Sequence, residues 1–155
     1  MQLFHLKGHS SLLTEEMKNV PIRLLIADDD PTIRLLLRRL FEHHAGWEVC
    51  DECANGSEAL EKALKLAPDI VILDLAMPGM NGLQSAQQIL RINPQVPILL
   101  LSVQQVSRQL AEAARNIGFR GAVTKGNGRE VVEGVETLLR GESFFVLTQA
   151  EDISA

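Results

Sequence analysis

The stretch "IVILDLAMPGMNG", residues 70–82, decides the fold. Ile70, Val71, Ile72 and Leu73 follow one another without a polar break and run directly into Asp74. Such a run reads as a strand covered on both faces, as in a parallel sheet between two helical layers. Pro78, Gly79 and Gly82 in the following segment suit a loop leaving the strand. A carboxylate at the mouth of a core is costly unless something pairs with it. Asp74 therefore either has a partner elsewhere in the chain or exists to bind one.

Four more strand-like segments surround this one: "IRLLIA" (22–27), "EVCDEC" (48–53), "PILLLS" (97–102) and "GAVTK" (121–125), with the central strand itself reading as "DIVILD" (69–74). Amphipathic helical stretches alternate with them. The first opens at "DPTIRLLLRRLFEHH", where Asp30 can cap and Pro31 takes the first helical position. The second opens at "NGSEALEKALKL", where Asn55 and Glu58 fit a capping box. The others lie in "LQSAQQILRI", in "VSRQLAEAARNIG" ending at Gly118, and in "GREVVEGVETLLRG". Strands alternating with helices argue for an α/β domain with a parallel, doubly wound sheet, and a closed eight-fold barrel needs far more chain.

In an open parallel sheet, ligands bind beyond the carboxyl ends of the strands. There this chain has Asp28, Asp29 and Asp30 after strand 1, Asp74 at strand 3, Ser102 at strand 4 and Lys125 at strand 5. If strands 1 and 3 are neighbours, Asp28, Asp29 and Asp74 converge and repel. A hard divalent cation such as magnesium resolves that conflict, since it takes oxygen ligands and meets phosphate. Lys125 adds a compact cation suited to phosphoryl oxygens, and Ser102 adds a hydroxyl. As a cation at a strand end, Lys125 is expected to matter for charge more than for the fold. Asp30 reads as a helix cap alone.

The segments "LLIADDDP", "NGSEAL", "PDIVILDLAMPGMNG", "PILLLS" and "AVTKG" together resemble the receiver domain of two-component response regulators, over about residues 21–141. The resemblance implies a (βα)5 flavodoxin-like fold with a five-stranded parallel sheet in the order 2-1-3-4-5. Residues 1–20 would be an N-terminal extension and 142–155 a C-terminal tail. It implies that Asp74 is the phosphoacceptor and that Asp28, Asp29, Asp74 and the Ala76 carbonyl bind magnesium or manganese. Ser102 and Lys125 would grip the phosphoryl group. The donor would be a sensor histidine kinase or a phosphotransfer protein, and the chain would not be a turnover enzyme, although it would catalyse its own dephosphorylation. A homodimer through helix 4, strand 5 and helix 5 is a further expectation.

"LIADDDP", "MPGMNGL" and "LLRGESFF" resemble receivers joined to a LuxR-type helix-turn-helix, a link to transcription regulation. Such an output domain falls outside the 155 residues, so a stand-alone receiver or a piece of a longer regulator is expected. Several positions depart from the family's habit. Ala122 stands where receivers often carry an aromatic that moves inward on phosphorylation, and Phe119, beyond Gly121, does not substitute for it. Ala76 and Gln104 occupy positions that tune hydrolysis, and "GNG" follows Lys125.

The other readings are weaker. A phosphatase of the haloacid dehalogenase type needs an aspartate where Ala76 stands. A flavodoxin needs a phosphate-friendly first loop, which "DDD" is not. A receiver serving only as an interaction module is compatible with Ala122. The net charge of −5 disfavours direct nucleic-acid binding. No apolar run is long enough to span a membrane, and the N-terminus lacks the pattern of a secretory signal, so a cytoplasmic protein is expected. In "CDEC", alternation along a strand would put Cys50 and Cys53 on opposite faces, against a redox or zinc pair. His5 and His9 have metal-compatible helical spacing but read as bystanders.

Overall fold

The computed structural model describes residues 20–146. His5, His9 and the rest of the N-terminal extension up to residue 19 lie outside that range, as do residues 147–155. The elements are β1 (Ile22–Ala27), α1 (Pro31–Glu42), β2 (Trp47–Cys53), α2 (Gly56–Leu66), β3 (Ile70–Asp74), α3 (Gly82–Ile92), β4 (Ile98–Ser102), α4 (Arg108–Ile117), β5 (Gly121–Thr124), α5 (Gly128–Leu139) and β6 (Phe144–Phe145). All strand pairs are parallel, in the order β2-β1-β3-β4-β5-β6. The expected order is the one observed. A sixth strand, two residues long, extends the sheet from the segment set aside as a tail.

Alternation along β1, β3, β4 and β5 builds two cores. Leu24, Ile26, Ile70, Ile72, Leu99, Leu101 and Val123 face α1 and α5, where Leu37, Phe41, Val131 and Val135 meet them. Leu25, Ala27, Val71, Leu73, Ile98, Leu100 and Ala122 face α2, α3 and α4. The small residues Ala59, Ala63, Ala86, Ala111 and Ala114 let those three helices approach closely. Every residue of β3 and β4 is buried, as the opening stretch demands.

Helix starts follow the chemistry of their caps. The Asp30 carboxylate accepts from the Thr32 N–H at 2.9 Å, with Pro31 in the first turn. Asn55 caps α2 by accepting from the Glu58 N–H, but Glu58 takes its bond from the Asn55 side-chain amide rather than from the cap's backbone. The complete reciprocal box is at α3, between Asn81 and Gln84. α3 starts hard against β3. A Cβ on Gly82 would lie 2.3 Å from the Asp74 carbonyl oxygen, so only glycine lets the helix begin there.

The cysteine expectation fails at β2. Leu24 pairs with Val49 and Leu25 with Asp51, which leaves Cys50 as the extra residue of a bulge. The bulge reverses the parity, and Cys50 and Cys53 both pack against the core shared with α2 to α4. Burial pushes the Cys53 thiol up to about 12 and the Cys50 thiol up as well, which favours the protonated thiol over the reactive thiolate at both.

Candidate functional site

Alternation continues past the strand ends and selects the site. Asp28 follows Leu24 and Ile26 in parity, Asp74 follows Ile70 and Ile72, and Lys125 follows Val123. The ladder itself runs on, since Asp28 N–H donates to Cys53 O at 3.0 Å and Lys125 N–H to Ser102 O at 2.9 Å. All three side chains are therefore aimed at the same end of the sheet, on the α1 and α5 side.

Lys125 joins the two carboxylates. Its Nζ lies 2.7 Å from Asp28 Oδ2 and 3.2 Å from Asp74 Oδ1. The ammonium is largely buried and both carboxylates are almost fully so. Asp28 also accepts from the Asp30 N–H at 2.9 Å, and Asp74 accepts from the Ala76 N–H at 3.3 Å. Asp29 is exposed, yet it brings one oxygen to within 4.8 Å of oxygens from Asp28 and Asp74.

The charge balance is incomplete. Burial, and then the Asp28 carboxylate, push Asp74 up to about 6, against the pull of Lys125 and the Ala76 amide. Burial also opposes the Lys125 ammonium, but Asp28 and Asp74 outweigh it and hold its pKa above the ordinary lysine value. One cation facing three carboxylates leaves net negative charge in a site of oxygen donors, the donor set that suits a hard divalent ion.

Ser102 is buried at the end of β4, opposite Thr124 of β5. It follows the parity of Ile98 and Leu100, so it comes to the site from the other core than the carboxylates do. A cavity of about 250 Å³ opens beside Lys125, lined by Asp30, Ile33, Val103 and Gly126.

Residues 24–136 match the model of the response regulator receiver domain. The chain belongs to the response regulator receiver family. It is 39% identical to the chemotaxis protein CheY of Thermotoga maritima over 93 residues, which is 60% of this chain and 77% of CheY. It is 31% identical to the response regulator GacA of Pseudomonas viridiflava over 127 residues, 79% of this chain but 58% of GacA. Protein-glutamate methylesterases match as well, with the chain spanning 20 to 30% of their length. A crystal structure of a LuxR-family two-component regulator from Aurantimonas sp. SI85-9A1 superposes with a TM-score of 0.77 at 32% identity, over 80% of this chain and 89% of that one. Family membership replaces the phosphatase and flavodoxin readings, and the family is one of signalling domains.

Around Ala122 the structure adds an aromatic neighbour outside the sequence reading. Ala122 is fully buried, and its neighbour in register is Phe145 of β6. Phe145 packs on the same core, with the Arg115 guanidinium 4.2 Å from its ring centroid. Phe119 is a buried core residue. Sequence reasoning missed Phe145 because "FF" lay beyond the last expected helix. The helix 4, strand 5, helix 5 face expected for self-association thus carries β6 on the β5 edge.

Proposed function

We propose that this receiver accepts a phosphoryl group on Asp74 from a phosphohistidine of a sensor histidine kinase or phosphotransfer protein, and relays the signal to a partner or output domain. The observation that carries the reading is the buried Asp28–Lys125–Asp74 bridge, with Asp29 beside it, at the carboxyl end of β3. An Asp74 carboxylate oxygen attacks phosphorus as the phosphorus–nitrogen bond breaks, and the electron pair leaves with the imidazole. β3, buried along its whole length, holds the nucleophile rigidly at its carboxyl end.

Asp28, Asp29, Asp74 and the Ala76 carbonyl would hold magnesium or manganese, which when bound supplies positive charge against the phosphoryl oxygens. Lys125 supplies charge of the same sign from the protein, and its existing contact with Asp74 sets it beside the group that arrives. The Ser102 hydroxyl would take another phosphoryl oxygen. Water later attacks the phosphorus of the acyl phosphate, the bond from phosphorus to the Asp74 oxygen breaks, and inorganic phosphate leaves with the carboxylate restored. The receiver thus resets itself, and its role is that of a signalling phosphoacceptor rather than a turnover enzyme.

The cavity at Lys125 is the opening beside the site that a donor would use. That cavity adjoins an apolar groove of about 300 Å³ between α1 and α5, lined by Ile33, Leu36, Leu40, Gly128 and Val131. The likeness to a LuxR-family regulator supports transcription regulation as the output, and the negative net charge supports a partner other than nucleic acid for this chain. Among the described residues no helix is long and apolar enough to cross a membrane, in keeping with a cytoplasmic role. The functional unit is the receiver of residues 21–141 together with β6, and phosphorylation would favour self-association through α4, β5, β6 and α5.

Incubation with acetyl phosphate and magnesium should add one phosphoryl group to the intact mass, located in the peptide that contains Asp74. A chelator should prevent it. No gain with magnesium would replace this reading with that of an interaction module.

A further inference from the structure

We infer that Arg34 is a positioning residue that fixes the Asp28–Asp29 peptide and, through it, the outermost carboxylate of the acidic site. The inference rests on the phosphoacceptor reading and concerns how the site is kept in shape.

Asp28 and Asp29 are held in different ways. The Asp28 side chain is anchored by Lys125 and by the Asp30 N–H. Asp29 is exposed, and among the described residues its carboxylate has no hydrogen-bond or ion-pair partner. With no partner to hold the side chain, the reach of that carboxylate depends on where the backbone places the Asp29 Cβ. The peptide that leads into Asp29 is planar, so whatever holds the Asp28 carbonyl oxygen orients the plane from which Asp29 departs. Arg34 holds it, with a guanidinium nitrogen donating to Asp28 O at 2.6 Å.

The guanidinium is itself braced. Arg34 Nε lies 3.3 Å from Glu52 Oε1, and the other oxygen of Glu52 accepts from Arg38 Nε. Glu52 stands on β2 directly opposite Ile26 of β1, two residues before Asp28. One planar fork thus spans from a backbone carbonyl at the site to a carboxylate on the neighbouring strand, a geometry that a single ammonium cannot reproduce. The sequence hides this arrangement, because Arg34 reads as one more charge on α1 and nothing local links it to Glu52.

The sign of the effect separates positioning from charge. Arg34 is a cation near a cation site, so by through-space repulsion its removal would tighten metal binding. A positioning role makes its removal weaken binding. The experiment is calorimetric titration of magnesium into the metal-free wild type, Arg34→Met, Asp29→Asn and the double variant. Arg34→Met should bind magnesium about tenfold more weakly, the scale typical of outer-shell partners. In the Asp29→Asn background the same change should add little, because the carboxylate that it positions is gone. Arg34→Lys keeps one donor and should recover part of the affinity.

Unchanged or tighter binding in Arg34→Met overturns the inference, and so does a full additional loss in the Asp29→Asn background. Should Arg34→Met melt too low to titrate, Arg34→Lys carries the test with a loss of a few-fold, and wild-type affinity there overturns it. Failure of the wild type itself to bind magnesium strikes the phosphoacceptor reading, and this inference falls with it.

Discussion

Lys125 and Ala122 are three residues apart on one strand, yet they belong to regions built on opposite principles. At Lys125, buried charges constrain one another through contacts of 2.7 and 3.2 Å to two carboxylates, each held in turn by a backbone amide. At Ala122, the register partner is Phe145, which packs on the same core from a strand of two residues, with the exposed Arg115 over its ring. The first region ties its buried charges to one another and still keeps net negative charge. The second rests on partial apolar burial and a cation–π contact, each of modest strength. A disturbance should therefore displace the β5–β6 edge at little cost and leave the chemical site intact, whereas a disturbance in the site should abolish chemistry.

The comparison breaks most visibly at Asp74. Asp74→Asn should lose all phosphorylation by acetyl phosphate, read as intact mass, while Phe145→Ala should be phosphorylated at the wild-type rate. Loss of phosphorylation in Phe145→Ala would show that the edge and the site are one unit.

Next in size is Lys125→Ala. From sequence alone a lysine at a strand end contributes little to the fold, but here its removal leaves two buried carboxylates facing each other. Removing one partner of a buried ion pair costs on the order of 3 kcal/mol. Denaturant melts at neutral pH should show that loss, reduced at acid pH, where a carboxyl takes a proton instead. A wild-type midpoint for Lys125→Ala would mean that the bridge carries no stability.

Asp74 also makes stability depend on pH, in a direction unusual for a carboxylate. Its folded-state value of about 6 lies above the ordinary 3.8, so between those values the folded chain binds more protons than the unfolded one. The Asp74 contribution is thus neutral below the lower value and becomes a penalty as pH rises through the upper one. Without metal, Asp74→Asn should be more stable than wild type at neutral pH by up to about 3 kcal/mol, from the shift of roughly two units. The gain should vanish at acid pH, and denaturant titrations of both proteins across the window will show whether it does.

The smallest effect belongs to the edge. Phe145→Ala should cost about 2 kcal/mol, less than a fully buried phenylalanine, because the ring is only half-buried. Amide exchange should rise first at Phe144 and Val146, whose N–H groups donate to the Arg120 and Ala122 carbonyls. Uniform acceleration across the whole sheet would contradict the division into two regions.

The sequence by itself determined the alternation of strands and helices, the caps at Asp30 and Asn55, and the presence of Asp28, Asp29, Asp74, Ser102 and Lys125 at strand ends. All of these are written in contiguous residues, through hydrophobic period and cap chemistry. That Asp28 and Asp74 converge was conditional on strands 1 and 3 being neighbours. Only the tertiary structure decided the rest. The bulge at Cys50 reversed the parity of β2, because register is a relation between two strands and not a property of one. The raised pKa of Asp74 arises from burial and from Asp28, which lies far away in the chain. The brace from Glu52 through Arg34 to Asp28, and the placing of Phe145 beside Ala122, depend on which distant residues packing brings together.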